Sequence, residues 1–344
     1  MRLRWRVSIV AACLASLLSP VPAAARGEPV CQEFDQTVPV LLGQSRVRGT
    51  LCVPGSTKTV VVMVAGSTYN GTYWDFPYQP EKYNFRRAMN AAGHATVVVD
   101  RLGTGGSSVP LGAQLTTFVQ AGAVHEVIQS LRAGRIGGRA FGRVILAGHS
   151  LGSTVVILES ATYRDVDGVV VTGLTHHLNL VTAVKVVASM YPAALDPQLR
   201  GRNHDPTYLT TQPGKRKELF HDPGQVDPGV VAVDERTKDV FAATEAADAV
   251  GVAVVLPYSA RITAPVLLVL GGSDPLLCGL AATNCTSAQT VLASERPYYA
   301  GSPCVSAYLQ PGAGHDVNLH PLAPQYQQRV RTWVDQVVAG PLRC

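Results

Sequence analysis

The stretch Val144-Ile145-Leu146-Ala147-Gly148-His149-Ser150-Leu151-Gly152 is a short apolar run that ends in Gly-x-Ser-x-Gly and passes into a helix-forming segment, residues 153–161. In a strand–turn–helix setting, that pentapeptide puts a serine on a turn tight enough to strain its backbone. Side chains two positions before and after the serine would collide, so Gly148 and Gly152 carry none. Ser150 then projects at the carboxyl edge of a sheet and the amino end of a helix, and the Leu151 N–H points where an oxyanion would form. Taken alone, the pentapeptide could be a glycine-rich turn that happens to contain serine. The apolar strand before it and two segments downstream favour a nucleophile.

On both sides of this turn, apolar runs alternate with helical patterns. Residues 35–42 and 45–53 read as two strands joined by a turn containing Gly43. Residues 59–65, 94–100, 166–172, 265–270 and 306–310 read as further strands; the β-branched run 59–65 carries the signature of burial on both faces. Helical segments fall over residues 81–92, closed by Gly93, over 116–133 and over 322–338. This alternation predicts an α/β fold: a mostly parallel central sheet with helices on both faces. It stops between residues 175 and 259, where Pro-rich sequence holds two helical segments, 178–190 and 235–247, and no strand pattern. Val187, Met190, Tyr191, Phe220 and Phe241 give this block enough apolar surface to pack. It reads as a cap inserted between core segments 26–174 and 260–344.

A serine nucleophile needs a base to take its proton and an acid to orient that base. In open α/β sheets such groups gather beyond the carboxyl ends of the strands. One strand is followed by Gly271-Gly272-Ser273-Asp274-Pro275, and the last by Pro311-Gly312-Ala313-Gly314-His315-Asp316. Asp274 stands at a strand end, and His315 sits on a glycine-rich loop able to carry an imidazole over the sheet edge. Ser-Asp-Pro also favours a plain turn, which leaves Asp316 and Asp248 as substitutes for the acid. His176 and His177 read as lining or structural, Asp100 and Arg101 as loop-fixing, and His149 as a packing or hydrogen-bonding residue.

The chain order serine, acid, histidine resembles that of the α/β-hydrolase superfamily, over essentially the whole chain beyond residue 25. The loop Asp100-Arg101-Leu102-Gly103-Thr104-Gly105-Gly106-Ser107 is similar to a shifted form of the family's Asp-x-Arg-Gly-x-Gly-x-Ser turn. The resemblance implies Ser150 as nucleophile, His315 as base and Asp274 as its orienting acid. It also implies an oxyanion hole of backbone N–H groups from Leu151 and Ser67, with Thr68 as the neighbouring alternative. The family usually carries His-Gly after its third strand; here the sequence is Ala65-Gly66-Ser67-Thr68, so only backbone donors are available. Serine at the turn disfavours dehalogenase and epoxide-hydrolase chemistry, which in this family uses aspartate there. No metal and no organic cofactor is needed.

At 344 residues and 47% hydrophobic composition, the chain can bury one large core. Arg2, Arg4 and Arg6, an apolar run over 7–18 and Ala23-Ala24-Ala25 read as a secretory signal peptide, 1–25; the run is too short and too Pro-interrupted for a stable membrane anchor. Its removal takes three arginines and no acid from a formal charge of +5, leaving no electrostatic footprint for nucleic acid. Lys215-Arg216-Lys217, followed by Glu218, reads as a solvated loop. Beyond Cys13, six cysteines remain, an even number that suits disulfides in an oxidising compartment. Pairing Cys31 with Cys52, Cys278 with Cys285 and Cys304 with Cys344 would tie each end or long loop to its nearest regular element.

The expectation is a secreted serine hydrolase of carboxylic esters acting through an acyl-enzyme on a small-molecule substrate. The apolar cap, with Tyr69, Tyr73 and Trp74 beside the oxyanion loop, suggests a moderately large apolar acyl or alcohol group. The alternatives are an amidase or peptidase, a specialised lactone or thioester hydrolase, and a non-catalytic binding protein on the same fold.

Overall fold

The computed structural model describes residues 28–222, 224–252, 256 and 258–344, so the expected signal segment lies outside the described residues. In chain order the strands are β1 (Val30–Val40), β2 (Gly43–Val53), β3 (Thr59–Val64), β4 (Ala95–Val99), β5 (Arg143–His149), β6 (Gly168–Thr172), three short strands β7 (Met190–Pro192), β8 (Tyr208–Thr211) and β9 (Phe241–Ala242), then β10 (Val266–Gly271) and β11 (Val305–Gln310). Eight of them form one sheet in the order β1-β2-β4-β3-β5-β6-β10-β11. The β1–β2 hairpin and the β2–β4 pair are antiparallel, and every other pairing in this sheet is parallel.

The continuous apolar runs have a physical reason. Successive side chains of β3 point to opposite faces, and both faces are covered. Val60, Val62 and Val64 join the core that holds Val127 and Leu131 of helix Thr117–Arg132 and Val155 of helix Leu151–Tyr163. Val61 and Met63 join the core on the other face, with Phe85 and Met89 of helix Phe85–Ala92 and Trp333 of helix Ala323–Ala339. The α/β fold with helices on both faces is as expected.

Local departures have local causes. The helix expected over 81–92 is two pieces, Pro80–Tyr83 and Phe85–Ala92. Asn84 between them is extended and caps the second by accepting from the Arg87 N–H. Gly93 closes that helix at φ 96°.

The block 175–259 departs further from expectation. It contains the antiparallel sheet β7-β8-β9, and β9 interrupts the helix expected over 235–247, leaving helices Pro228–Arg236 and Ala243–Val250. Strands of two to four residues are too short for a period-two pattern to show. Nor is Lys215-Arg216-Lys217 a uniformly solvated run. Helix Arg216–Phe220 turns Arg216 inward with Leu219 and Phe220, while Lys217 is exposed.

All three disulfides join the expected cysteines. Cys31 and Cys52 face each other across the β1–β2 hairpin. Cys278–Cys285 closes a loop just after β10, and Cys304–Cys344 ties the C-terminal end to the start of β11. Among the described residues, no helix is long and apolar enough to cross a membrane.

Candidate active site

β5 ends at His149 and helix Leu151–Tyr163 begins at Leu151, so a single residue makes the turn between them. That residue is Ser150, at φ 52° and ψ −119°, a backbone conformation that L-residues rarely adopt. The flanking glycines are required by close approach. A Cβ on Gly148 would stand 2.5 Å from the Gly152 carbonyl oxygen, and one on Gly152 would stand 2.3 Å from that of Val64. The Ser150 N–H bonds the Thr172 carbonyl at 2.8 Å, which anchors the turn to the end of β6.

The structure brings His315 and Asp274 together. His315 Nδ1 lies 2.8 Å from Asp274 Oδ2, and both side chains are buried. The other oxygen of Asp274 accepts from the Leu276 and Leu277 N–H groups, so Asp274 also builds the turn that aims it. Burial by itself would lower the His315 pKa. The charge of Asp274 and its hydrogen bond outweigh burial and hold it above the ordinary 6.5. Ser150 and His315 converge on Gly173, which lines the same cavity as Ser150; a Cβ there would stand 3.3 Å from His315 Cε1. Among the described residues, no hydrogen bond joins Ser150 Oγ to His315, and the Ser67 and Leu151 amides have no protein acceptor.

Asp316, a substitute for the acid in sequence terms, serves another histidine. His149 Nε2 lies 3.0 Å from Asp316 Oδ1, its Nδ1 lies 3.1 Å from Thr172 Oγ1, and its ring stacks on Tyr73 with centroids 4.4 Å apart. Burial lowers the His149 pKa in spite of Asp316. Tyr69 donates to Asp316 and Asp234, while Asp234 also holds Arg216 at 2.8 Å and His221 at 3.0 Å. Asp248, the other substitute, lies on helix Ala243–Val250. His176 is structural, bound between Glu295 and Ser259; His177 lies 3.4 Å from the Tyr298 hydroxyl.

Two buried arginines hold the loop after β3. Arg101 donates to the Ala65 and Gly66 carbonyls, both at 3.1 Å, and pairs with Glu245 at 2.6 Å. Arg216 donates to the Thr68 carbonyl at 3.3 Å and to Thr68 Oγ1 at 2.9 Å. Both counter-ions, Glu245 and Asp234, sit in the 175–259 block. Sequence reasoning missed these pairs because Arg101 and Glu245 lie 144 residues apart and Arg216 reaches Thr68 across 148, while Asp234, 18 residues from Arg216, lies on a separate helix; a buried arginine inside an apolar helix pattern (Arg216, Leu219, Phe220) was the available signal. Gly66 packs so closely on Ser150 that a Cβ there would stand 3.0 Å from Ser150 Cβ.

A cavity of about 190 Å³ opens beside Ser150 and Ser67. Its walls are apolar: Leu178, Val186, Met190, Phe241 and Val250 from the 175–259 block, and Leu276 and Leu277 from the turn after Asp274. None of the described lining residues is charged. Tyr69, Tyr73 and Trp74 are not in the wall; all three are buried in the core, where they pack behind His149. The apolar surface expected of them comes from the 175–259 block instead.

Solved structures similar to this chain include a thermophilic esterase from Thermogutta terrifontis, with 17% identity, a TM-score of 0.59 and coverage of 89% of this chain and 99% of that one. A metagenome-derived lipolytic enzyme aligns at 12% identity and a TM-score of 0.55, covering 89% and 97%. A bacterial membrane phospholipase A aligns at 17% identity and 0.54, covering 90% and 87%. At such identities these likenesses concern the fold. A comparison with curated proteins finds no match. The profile of the alpha/beta hydrolase family matches residues 61–325, well over half of the 344 residues. With the sheet order, the strained serine and that match together, the chain belongs to the alpha/beta hydrolase family.

Proposed function

We propose that this protein is a secreted serine hydrolase that cleaves carboxylic esters of small apolar molecules, with residues 175–259 acting as a cap over the site. The observation that carries this reading is the strained Ser150 beside an uncharged apolar cavity, with the His315–Asp274 pair bordering the same Gly173. Ser150 Oγ attacks the acyl carbon as His315 takes its proton, and Asp274 stabilises the imidazolium. The tetrahedral oxyanion accepts from the Ser67 and Leu151 N–H groups. His315 then protonates the leaving alcohol. Water, deprotonated by His315, attacks the acyl-enzyme and releases the acid and Ser150.

An uncharged wall disfavours a peptidase, which would need a charged group to recognise a peptide terminus. Ligand pockets commonly enclose about 300–1,000 Å³, so about 190 Å³ suits a short acyl chain unless helix Leu180–Ala188 moves. The three disulfides support an oxidising destination.

The test compares wild type with Ser150→Ala in fluorophosphonate labelling and in turnover of p-nitrophenyl esters of increasing acyl length, with aminoacyl anilides alongside. The expected result is labelling and ester turnover in wild type only, strongest on short chains; kcat should fall by roughly 10⁴-fold or more in the variant. A folded wild type that neither labels nor turns over would refute catalysis, and preference for anilides would refute ester specificity.

A further inference from the structure

Helix Leu151–Tyr163 carries a second group of chemically able side chains at its far end, roughly 14 Å along the helix from Ser150. Glu159 from this helix, His125 from helix Thr117–Arg132 and Asp165 from the loop after Tyr163 bring His125 Nδ1 and one oxygen of each carboxylate within 4.8 Å of one another. Glu159 is completely buried, and its Oε1 has no hydrogen-bond partner. His125 Nδ1 lies 3.7 Å from that oxygen, beyond hydrogen-bond reach, and 2.9 Å from Asp165 Oδ2, where the alignment of a hydrogen bond is lacking. Asp165 Oδ1 is likewise unpartnered. A buried carboxylate oxygen left without a donor is costly, and native structures give it a proton, a water or an ion.

The surroundings hold the three groups in place. The His125 ring stacks on Tyr163 with centroids 3.7 Å apart, Gln129 Nε2 donates to Asp165 Oδ2 at 2.5 Å, and Arg132 grips the Asp165 carbonyl. His125 and Asp165 retain partial exposure, so an ion has an entry path. The buried His221–Asp234–Asp316 group differs in this respect: Arg216, Tyr69 and His149 already occupy its carboxylates.

We propose that His125, Glu159 and Asp165 bind one divalent first-row transition-metal ion, zinc in kind, which ties the C-terminal end of the nucleophile-bearing helix to helix Thr117–Arg132. One imidazole nitrogen and two carboxylate oxygens form a borderline donor set that suits zinc or cobalt(II) better than calcium or magnesium, which prefer all-oxygen sites. Ligand bonds of about 2.0–2.2 Å place neighbouring donors roughly 3–3.5 Å apart, close to the separations already present. A proton on Glu159, whose carboxyl burial pushes up to about 8, is the rival occupant.

Tag-free protein stripped with chelator, together with Glu159→Gln and His125→Asn, would be titrated with Zn²⁺ by calorimetry and with Co²⁺ by visible spectroscopy. Thermal melts would be recorded at each metal excess. The expected result is one equivalent bound by wild type, a Co²⁺ spectrum, and a rise in Tm of about 4 °C at a hundredfold excess over Kd, all lost in both variants. His125 is partly exposed, so His125→Asn keeps the test decisive if Glu159→Gln fails to fold. Absence of binding to wild type would overturn the proposal, as would binding that survives both substitutions. A metal-independent gain in stability in Glu159→Gln, without binding in wild type, would assign the site to the proton.

Discussion

The contact between Arg101 and Glu245 makes a quantitative prediction about how the loop after β3, the proposed source of an oxyanion donor, is held. Both side chains are about 1% exposed and their charged atoms lie 2.6 Å apart. Glu245→Gln keeps the shape but has one acceptor oxygen in place of two, so it can serve either Gln120 Nε2 or the Ala242 N–H and not both, and it strands the Arg101 charge in the interior. Removing one partner of a buried pair costs about 3–5 kcal/mol, which in a protein of this size corresponds to a fall in Tm of about 4–7 °C. Adding Arg101→Met removes the stranded charge and should recover part of that loss. It also removes both donors to the Ala65 and Gly66 carbonyls. If those bonds place the Ser67 amide, kcat in the double variant should fall about 100-fold while Tm improves over the single variant. Differential scanning fluorimetry and p-nitrophenyl butyrate kinetics on the two variants would separate the effects. A double variant retaining kcat within about threefold of wild type would refute loop positioning by Arg101; a Glu245→Gln loss under about 1 kcal/mol would refute a dry, buried pair.

Two further outcomes follow from the site. Because Asp274 raises the His315 pKa against burial, the stability contributed by their contact is complete below about 6.5 and is lost as the pH rises through the folded value, whereas activity needs neutral imidazole and rises through the same window. Asp274→Asn should therefore move the acidic limb of kcat/KM to lower pH and reduce kcat by about 10⁴-fold, as read from a pH–rate profile; an unmoved limb would remove Asp274 from this role. Val186→Phe should shorten the cavity: each methylene it excludes forfeits about 0.8 kcal/mol, so kcat/KM for esters two carbons too long should drop roughly 15-fold relative to acetate, and an unchanged chain-length profile would place the acyl group elsewhere.

Much of this organisation is legible in the sequence, for physical reasons particular to each stretch. Residues 59–65 are readable because a strand covered on both faces has no polar side to confuse the pattern. Gly148 and Gly152 are readable because backbone crowding leaves no other residue possible, and Asp274 and His315 because strand ends and glycine loops are where such groups can reach a sheet edge. What escaped reading depends on contacts between distant segments. β7 and β9 are too short to declare themselves, and Arg216 looks solvated beside two lysines until Asp234 and Thr68 are seen around it. Tyr73 and Trp74 sit close in sequence to the loop after β3, but pack away from the cavity because His149 and Phe85 offer them ring faces on the inner side.

The placement of the disulfides bears on how the protein matures. Cys278 lies four residues beyond Asp274, its N–H bonds the Asp274 carbonyl at 2.9 Å, and its bridge to Cys285 closes the loop that follows the Asp274 turn. The bridge from Cys304 to Cys344 fastens the start of β11, the strand that delivers the His315 loop. The Ser150 turn, by contrast, is held by sheet pairing, glycine packing and the hydrogen bonds of Ser153 and Thr172. The two bridges thus brace the segments around Asp274 and His315, whereas no cysteine lies in the Ser150 turn. If Asp274 and His315 act as proposed, chain kept reduced should retain the sheet but lose ester turnover, and turnover measured before and after thiol oxidation would read the difference.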